Sequence, residues 1–508
     1  MERHPSTEES LDSRPAPLRR ALLWALLLSL FFLCLRLALA SLLDLSPDEA
    51  YYWQWSKHPA LSYYDQGPGL AAAIGASTRL LGDTLLGVRL PALLSGLLLS
   101  LLAAWFGLRL ARDAGAPEQG DSLALWAVAA FNSILLFAAG GLLMVHDSLQ
   151  VAFWVLALMA LIKVAESGGA WWLLFALLGG LGVLCKYTGA FMLPLALLAL
   201  ATHPELRPRL AGPWPWLALA LGCALCSPIL IWNAQNGWPS FSHVLGLGGA
   251  DPSRVSHAAF GEFLGGQAGL ASPVVFVLAL IAWGAGLRRR IKGHDTPLEW
   301  MLWCLSAPLF LFFLLLSLRS RVEANWPAPA WWGGVLLAGL WLLKRGKLWG
   351  WLSRLGLGLA LLLTLLVYAQ ALRPWLPIPP ARAKMDSAAR VAGWDELGRR
   401  VQARLGGLPG AFVGAATYQN AAELSFVLDG HPLAQVLGEP VINSQYRFWD
   451  RARELKGHSA IVVVENSVEA GRIAPLFRSF TRLEDYDLRR HGNLVRHQEI
   501  WLGRGFKG

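Results

Sequence analysis

The sequence predicts a polytopic α-helical membrane protein of about 11 transmembrane helices, followed by a small α/β domain, and three observations carry that prediction. Hydrophobic residues fill 55% of the 508 positions and charged residues only 15%, an imbalance that a soluble chain of this size does not need. Apolar runs recur from Ala21 to Gln370, many of them near the roughly 20 helical residues that cross about 30 Å of hydrocarbon. Beyond Arg373 the pattern changes to frequent charges and short apolar segments.

In chain order, residues 1–20 read as a polar, Pro-containing cytoplasmic tail. Spans follow near 21–43, 85–110, 122–143, 149–165, 170–185, 188–201, 213–232, 271–288, 298–317, 326–343 and 351–372, and the two that flank Lys186 are short enough to be one broken helix. ALA at 38–40 has the look of a cleavage site, but cutting there would discard Arg19 and Arg20 as the orientation signal, so the first span is expected to stay as an anchor. The formal charge of +10 is read through loop location. Arg109, Arg112, Lys163, Arg207, Arg209, RRRIK at 288–292 and KRGK at 344–347 fall in alternate loops, which puts them in the cytoplasm. The outer loops, near 44–84 and 233–270, and everything from 374 to 508 then lie outside, in the periplasm of a Gram-negative cell, with no nucleic acid as partner. All five cysteines sit in apolar runs, and the CxxC spacing of Cys223 and Cys226 reads as packing. In the tail, AFVGAAT at 411–417 and AIVVVEN at 460–466 read as strands, and WDELGRRVQARL at 394–405 and NAAELSFVLDG at 420–430 as helices, which gives a small α/β domain.

The chemistry concentrates in SPDEAYYWQWSKHPALSYYDQGPG, residues 46–69. Ser46 and Pro47 have the pattern of a helix start, and Glu49, three residues after the cap, can close a capping box or serve at a reacting centre. Asp48, in the first turn, would be kept ionised by unpaired amides and could accept a proton from an alcohol or amine. Tyr52 and Tyr64 are interface anchors or sugar-stacking rings, and Lys57 and His58 add polar contacts beside them. Asp65 precedes the turn-forming QGPG and is open to capping, to a sugar hydroxyl, or to a divalent metal shared with Asp48. His146 and Asp147 sit in a tight outer turn that returns toward this loop. Lys186 interrupts an apolar stretch, where a lysine must reach water or meet an anion. RSRVEANWPAPA at 319–330 places Arg319 and Arg321 at an outer edge as forks for phosphate oxygens, with Glu323, Asn325 and Trp326 beside them. WNAQNGW at 232–238, His243 and His257 are weaker candidates for acceptor contacts.

DEAYYWQWS with YYDQGPG, HDS at 146–148, LCKYTGAFMLP at 184–194, RVEANWPAPA at 321–330 and GWDELGRRV at 393–401 together resemble the bacterial branch of the GT-C glycosyltransferases related to protein O-mannosyltransferases and to the lipid A aminoarabinose transferase, families 39 and 83. The resemblance implies a GT-C fold and an inverting transfer of sugar from a polyprenyl-phosphate-linked donor, on the outer side of the inner membrane. It also implies that Asp48 is the general base, with Glu49 beside it, that Asp65 is the second acidic position, and that Lys186 is the lysine between spans. Where relatives of the aminoarabinose enzyme carry Glu-Lys-Pro, this chain has Asp65, Gln66, Gly67 and Pro68, and the missing lysine removes one phosphate contact. The expected acceptor is a cell-envelope lipid or glycan such as lipopolysaccharide, with protein O-glycosylation as the alternative. A lipid or lipid-linked-sugar transporter is the competing class. Polar residues gathered on one side, without two matched halves, favour transfer over transport.

Overall fold

The computed structural model describes residues 16–248, 257–343, 345–378, 386–438, 444–490 and 492–508. Most of the expected 1–20 tail, Lys344, and the stretch 249–256 of the second outer loop lie outside the described residues. The chain begins with α1 (Ala16–Leu42), α2 (Pro47–Lys57), α3 (Gly69–Leu81), α4 (Leu85–Asp113), α5 (Gly120–Ser133), α6 (Leu135–Gly140) and α7 (His146–Ser167). It continues through α8 (Trp171–Cys185), α9 (Met192–Thr202), α10 (Trp214–Gln235), α11 (Pro239–Gly248), α12 (His257–Ala271), α13 (Pro273–Ile291), α14 (Pro297–Cys304), α15 (Ala307–Leu316), α16 (Ala328–Leu343) and α17 (Lys347–Leu372).

All the apolar segments expected to span are helical, but they are not eleven continuous spans. Among the described residues six helical stretches are long and apolar enough to cross a membrane alone, and α12 with α13, bent by 103°, makes a seventh. The chain is therefore a multi-pass membrane protein. The segment at 122–143 breaks at Ile134 into α5 and α6, while α8, α9 and α16 have only 15, 11 and 16 residues. Breaks in lipid need their freed carbonyls satisfied. Here Thr364 and Tyr368 of α17 donate to the carbonyls of Ser133 and Ala138 at 2.8 and 3.0 Å. Within the bundle, hydroxyls of Ser29 and Ser100 lie 2.7 Å apart and Asn132 donates to Ser100, which stitches α1, α4 and α5 by polar contacts of the kind that join membrane helices.

The loops expected to carry the interior charges do share one end. Arg109 meets Glu166 at 2.9 Å, Arg209 donates to the Ala165 carbonyl, and Arg290 reaches the Thr202 carbonyl. The opposite end carries α2, α3 and the carboxyl-terminal elements: α18 (Ser387–Val391), α19 (Trp394–Leu405), β1 (Phe412–Ala415), α20 (Tyr418–Val427), β2 (Gln435–Val436), β3 (Ala460–Val464), α21 (Ser467–Ile473), β4 (Ser479–Arg490) and β5 (Asn493–Arg504). The sheet order is β2-β1-β3-β5-β4, with β1 parallel to β2 and β3, and β5 antiparallel to β3 and β4. Its apolar face is not closed by its own helices alone. One buried cluster runs from Tyr51, Trp53 and Trp55 of α2 through Trp394 and Leu397 of α19 to Val413, Ile461 and Ile500 of the sheet.

Candidate functional site

Arg89 of α4 fixes the start of α2. Its Nη1 donates to the Ala40 and Leu43 carbonyls, which α1 leaves without partners at its end, and its Nη2 donates to the Asp44 carbonyl. Its Nε and Nη2 also reach Glu49 Oε1 and Oε2, each at 2.8 Å. The amides of Met144 and Ser46 donate to the same two oxygens at 2.9 Å. Each Glu49 oxygen thus accepts two hydrogen bonds, and the side chain is fully buried. Burial alone would push the Glu49 carboxyl up, but the Arg89 charge and these donors outweigh it and hold it below the usual range. The expectation that Glu49 works at the reacting centre therefore meets a different role: it joins α1, α2, α4 and the α6–α7 turn and aims Asp48.

Asp48 is one-third exposed and accepts from Arg390 Nη2 of α18 at 2.6 Å. Asp65 is about as accessible, at 27%, and accepts from Tyr51 Oη at 2.8 Å. Tyr51 in turn accepts from the Gln445 amide at 2.6 Å, and the Gln445 side chain accepts from the Tyr64 amide at 2.7 Å, so the carboxyl-terminal elements clip both halves of the first loop. Desolvation, with Asp48 nearby, pushes the Asp65 carboxyl up to about 7 against the opposing Tyr51 hydrogen bond. His243 Nε2 of α11 stands 3.8 Å from Asp65 Oδ1, and its ring packs on Tyr64. Tyr52 lies between these groups: burial and then the charges of Asp48, Asp65, Tyr418 and Asp147 hold its phenol well above its ordinary value, so it stays a proton donor.

A second polar chain adjoins the first through the Tyr52 ring, which packs 4.3 Å from the His146 ring. His146 Nδ1 lies 3.0 Å from the Cys185 carbonyl, and its Nε2 is buried without a partner among the described residues. Next to it, Asp147 Oδ1 accepts from Lys186 Nζ at 2.6 Å and Oδ2 accepts from Asn325 at 2.7 Å. Three segments far apart in sequence meet here. Lys186 is the extended residue between α8 and the 3-10 turn at 187–191, so the two short spans are a broken helix whose gap presents the ammonium group. The first loop docks on this gap: Gln66 accepts from the Tyr187 amide, and a Cβ on Gly67 would lie 2.5 Å from the Leu184 carbonyl oxygen. An apolar cavity of about 370 Å³ between α8, α9 and α10 opens beside Tyr187 and runs along Gly179, Gly180 and Gly222.

The other expected binding residues are less central. Lys57 is held by Asp83 at 2.5 Å and lies over Trp53, and His58 packs on Trp449. Arg321 is exposed and pairs with Glu262 and Glu323, Arg319 is exposed, and Trp326 packs on Phe313. Arg89, Arg390, Tyr418 and Gln445 were not legible as site residues. Arg89 lies inside an apolar span, and the other three come from the carboxyl-terminal part, which carries no motif for this chemistry. For a divalent ion the donors are poor: Asp48 is paired with Arg390, Asp65 is hydrogen-bonded by Tyr51, and the grouping of three metal-capable residues among those described is Asp485, His497 and Glu499, elsewhere on β4 and β5.

This combination, a helical membrane bundle with carboxylates at one end and an α/β cap packed on it, is a fold shared with solved GT-C structures. A family model described as dolichyl-phosphate-mannose-protein mannosyltransferase matches residues 65–232. A lipid A galacturonosyltransferase, RgtD, of Rhizobium johnstonii is 29% identical over 302 residues, 59% of this chain and 61% of that protein, so the match spans less than two-thirds of the relative. ArnT from Cupriavidus metallidurans bound to undecaprenyl phosphate superposes with a TM-score of 0.65 at 14% identity, covering 94% of this chain and 98% of that one. The Archaeoglobus fulgidus oligosaccharyltransferase superposes with a TM-score of 0.52 at 13% identity, covering 90% and 69%. The chain shares its fold with these membrane transferases, and residues 65–232 carry the likeness to the mannosyltransferase family model.

Proposed function

We propose that this protein is an inverting glycosyltransferase that moves a sugar from a polyprenyl-phosphate donor to a lipid A or related envelope-glycan acceptor on the periplasmic face of the inner membrane. The observation that carries the reading is the junction of three features: the Asp48 and Asp65 carboxylates around Tyr52, the Lys186 ammonium at a broken helix, and the apolar cavity beside Tyr187. A donor whose tail stays in the bilayer needs this order of groups, with tail, phosphate and sugar meeting apolar wall, cation and carboxylates in turn. Asp48 takes the proton of the acceptor hydroxyl as its oxygen attacks the anomeric carbon. The bond to the phosphate oxygen breaks on the opposite face, its electron pair leaves with polyprenyl phosphate, and the configuration inverts. Lys186, which has N–H donors beyond the one on Asp147, and Arg319 stabilise the leaving phosphate. Asp65 and Tyr52 orient sugar or acceptor hydroxyls, and residues 374–508 form the outer cap that supplies Arg390 and Gln445. The curated relative supports a hexuronic sugar and lipid A as the first pair to try.

The test is transfer in nanodiscs. Polyprenyl-phosphate galacturonate and aminoarabinose are offered with lipid A, core oligosaccharide and Ser/Thr peptides, and products are read by mass spectrometry and anomeric NMR. An inverted glycolipid made by the native protein and lost in Asp48→Asn supports the reading. Transfer to peptide alone moves the assignment to protein O-glycosylation. Donor binding with no transfer to any acceptor, in folded protein, overturns it in favour of transport.

A further inference from the structure

α13 and α16 both start at the end that carries the site, where Gln267 and Trp331 hold the loop before Asn325, and both finish at the opposite end. The 19 residues of α13 span roughly 28 Å at about 1.5 Å per residue, so its two ends are separated by about the thickness of a hydrocarbon layer. Between these helix ends lies a cavity of about 630 Å³ that the proposed chemistry does not use. Part of its wall is apolar, with Ala282 of α13 and Leu337 and Leu340 of α16. Its rim is cationic, with Arg288, Lys292 and Arg345.

Charge accounting at this rim leaves an excess. Arg289 and Glu299 neutralise each other, with Nε and Nη2 each 3.1 Å from a carboxylate oxygen. Arg345 stacks over the Trp341 ring at 4.5 Å, an arrangement that fixes its guanidinium without cancelling its charge. Among the described residues Arg288, Lys292 and Arg345 make no ion pair with a carboxylate. Cations in the last turn of α13 are favoured by its dipole, but that effect asks for no cavity and no second helix. Apolar depth below a cationic rim, between two membrane helices, is the complement of an amphiphilic anion, and basic pockets between helices on the cytoplasmic side bind acidic headgroups.

We propose that this cavity binds the phosphodiester headgroup of an anionic phospholipid of the inner leaflet, with Arg288, Lys292 and Arg345 on the phosphate and the first acyl carbons against Leu337 and Leu340. The apolar wall is the reason to assign a lipid over a free phosphate, which would leave that wall wet. Gly284 offers a clean way to fill the site, because a Cβ there meets nothing within 4 Å. The assignment is independent of the glycosyl-transfer reading.

The experiment uses the full chain, stripped of lipid in detergent, titrated separately with dioleoylphosphatidylglycerol, dioleoylphosphatidylcholine and inorganic phosphate, with Tm by scanning fluorimetry and bound lipid counted by native mass spectrometry. Phosphatidylglycerol is expected to raise Tm and remain bound at about one equivalent, while phosphatidylcholine and phosphate do neither. The triple variant Arg288→Gln, Lys292→Gln, Arg345→Gln and, separately, Gly284→Leu should each weaken phosphatidylglycerol by about tenfold or more. Having both variants guards against a fold defect in either. Equal effects of phosphatidylcholine would overturn the proposal, as would phosphate reproducing the shift or phosphatidylglycerol binding unchanged in both variants.

Discussion

Asp65 and Glu49 occupy the same short loop and have opposite environments, and the difference decides what each can do. Glu49 is saturated by four donors, so Glu49→Gln leaves the Arg89 guanidinium buried without its counter-charge. Breaking such a pair costs about 3–5 kcal/mol. Glu49→Gln is therefore expected to lower Tm strongly in a detergent melt, whereas Asp48→Asn, at a one-third exposed site, should melt near the native protein while abolishing transfer. Comparable melting of the two variants would remove the division of labour between them. For Asp65 the sign runs the other way. Its folded carboxyl binds a proton up to about pH 7 and an unfolded one only to about pH 4, so the stability it adds below that window is lost as pH rises through it. The loss is on the order of 2–4 kcal/mol. Asp65→Asn should flatten this part of the Tm profile, and transfer by the native protein should show an acid limb with an apparent pKa near 7. A native Tm profile parallel to that of the variant between pH 4 and 7 would contradict the assigned environment.

Elements were legible where period and punctuation agreed. Ser46-Pro47 with Glu49 gave the start of α2, and WDELGRRVQARL coincides with α19. β4 and β5 were not read, because their outer faces carry Arg, Glu and Asp in register, and alternation of that kind hides a strand among loop-like charges. The break at Lys186 was legible from the two short apolar runs that flank it, whereas hydropathy gives no sign that Ile134 leaves the helix. Asp48, Asp65, Asp147, Lys186 and Asn325 could be named singly from polarity in apolar surroundings, but not the contact of Asp147 with both Lys186 and Asn325, which depends on packing of three distant segments. The glycines of QGPG show what that packing demands. Gly67 faces the Leu184 carbonyl so closely that Gly67→Ala must push the loop off the helix break. It should cost about 1–3 kcal/mol and, by moving Asp65 and Gln66 relative to Lys186, reduce kcat more than expression. Unchanged turnover in Gly67→Ala would mean that the loop and the break are not mechanically coupled.

For the whole molecule the consequential feature is that, beside a core confined to the membrane helices and one confined to the carboxyl-terminal elements, a further buried cluster belongs to both parts. Trp53, fully buried on α2, packs edge-on to Phe426 of α20 at 5.0 Å and donates from its indole nitrogen to Asp83 before α4. The same cluster continues through Trp394 to the sheet, so opening the cap and loosening α2 expose one continuous apolar surface. Aromatic truncation in such a core costs about 3–5 kcal/mol. If the two parts melt as one unit, Trp53→Ala speeds amide exchange in α2 and, by a similar factor, in α20 and β1, although neither of the latter is altered in sequence. If they are independent folding units joined at a surface, exchange rises in α2 and its neighbour α3 and the sheet stays protected. Hydrogen exchange with mass spectrometry distinguishes the two. The first outcome carries a functional meaning: Arg390 and Gln445, which reach Asp48 and the Tyr51–Asp65 pair from the cap, are then held by the same cooperative structure that holds the carboxylates. The geometry around Asp48 would then be set when the whole chain folds, with no separate docking step.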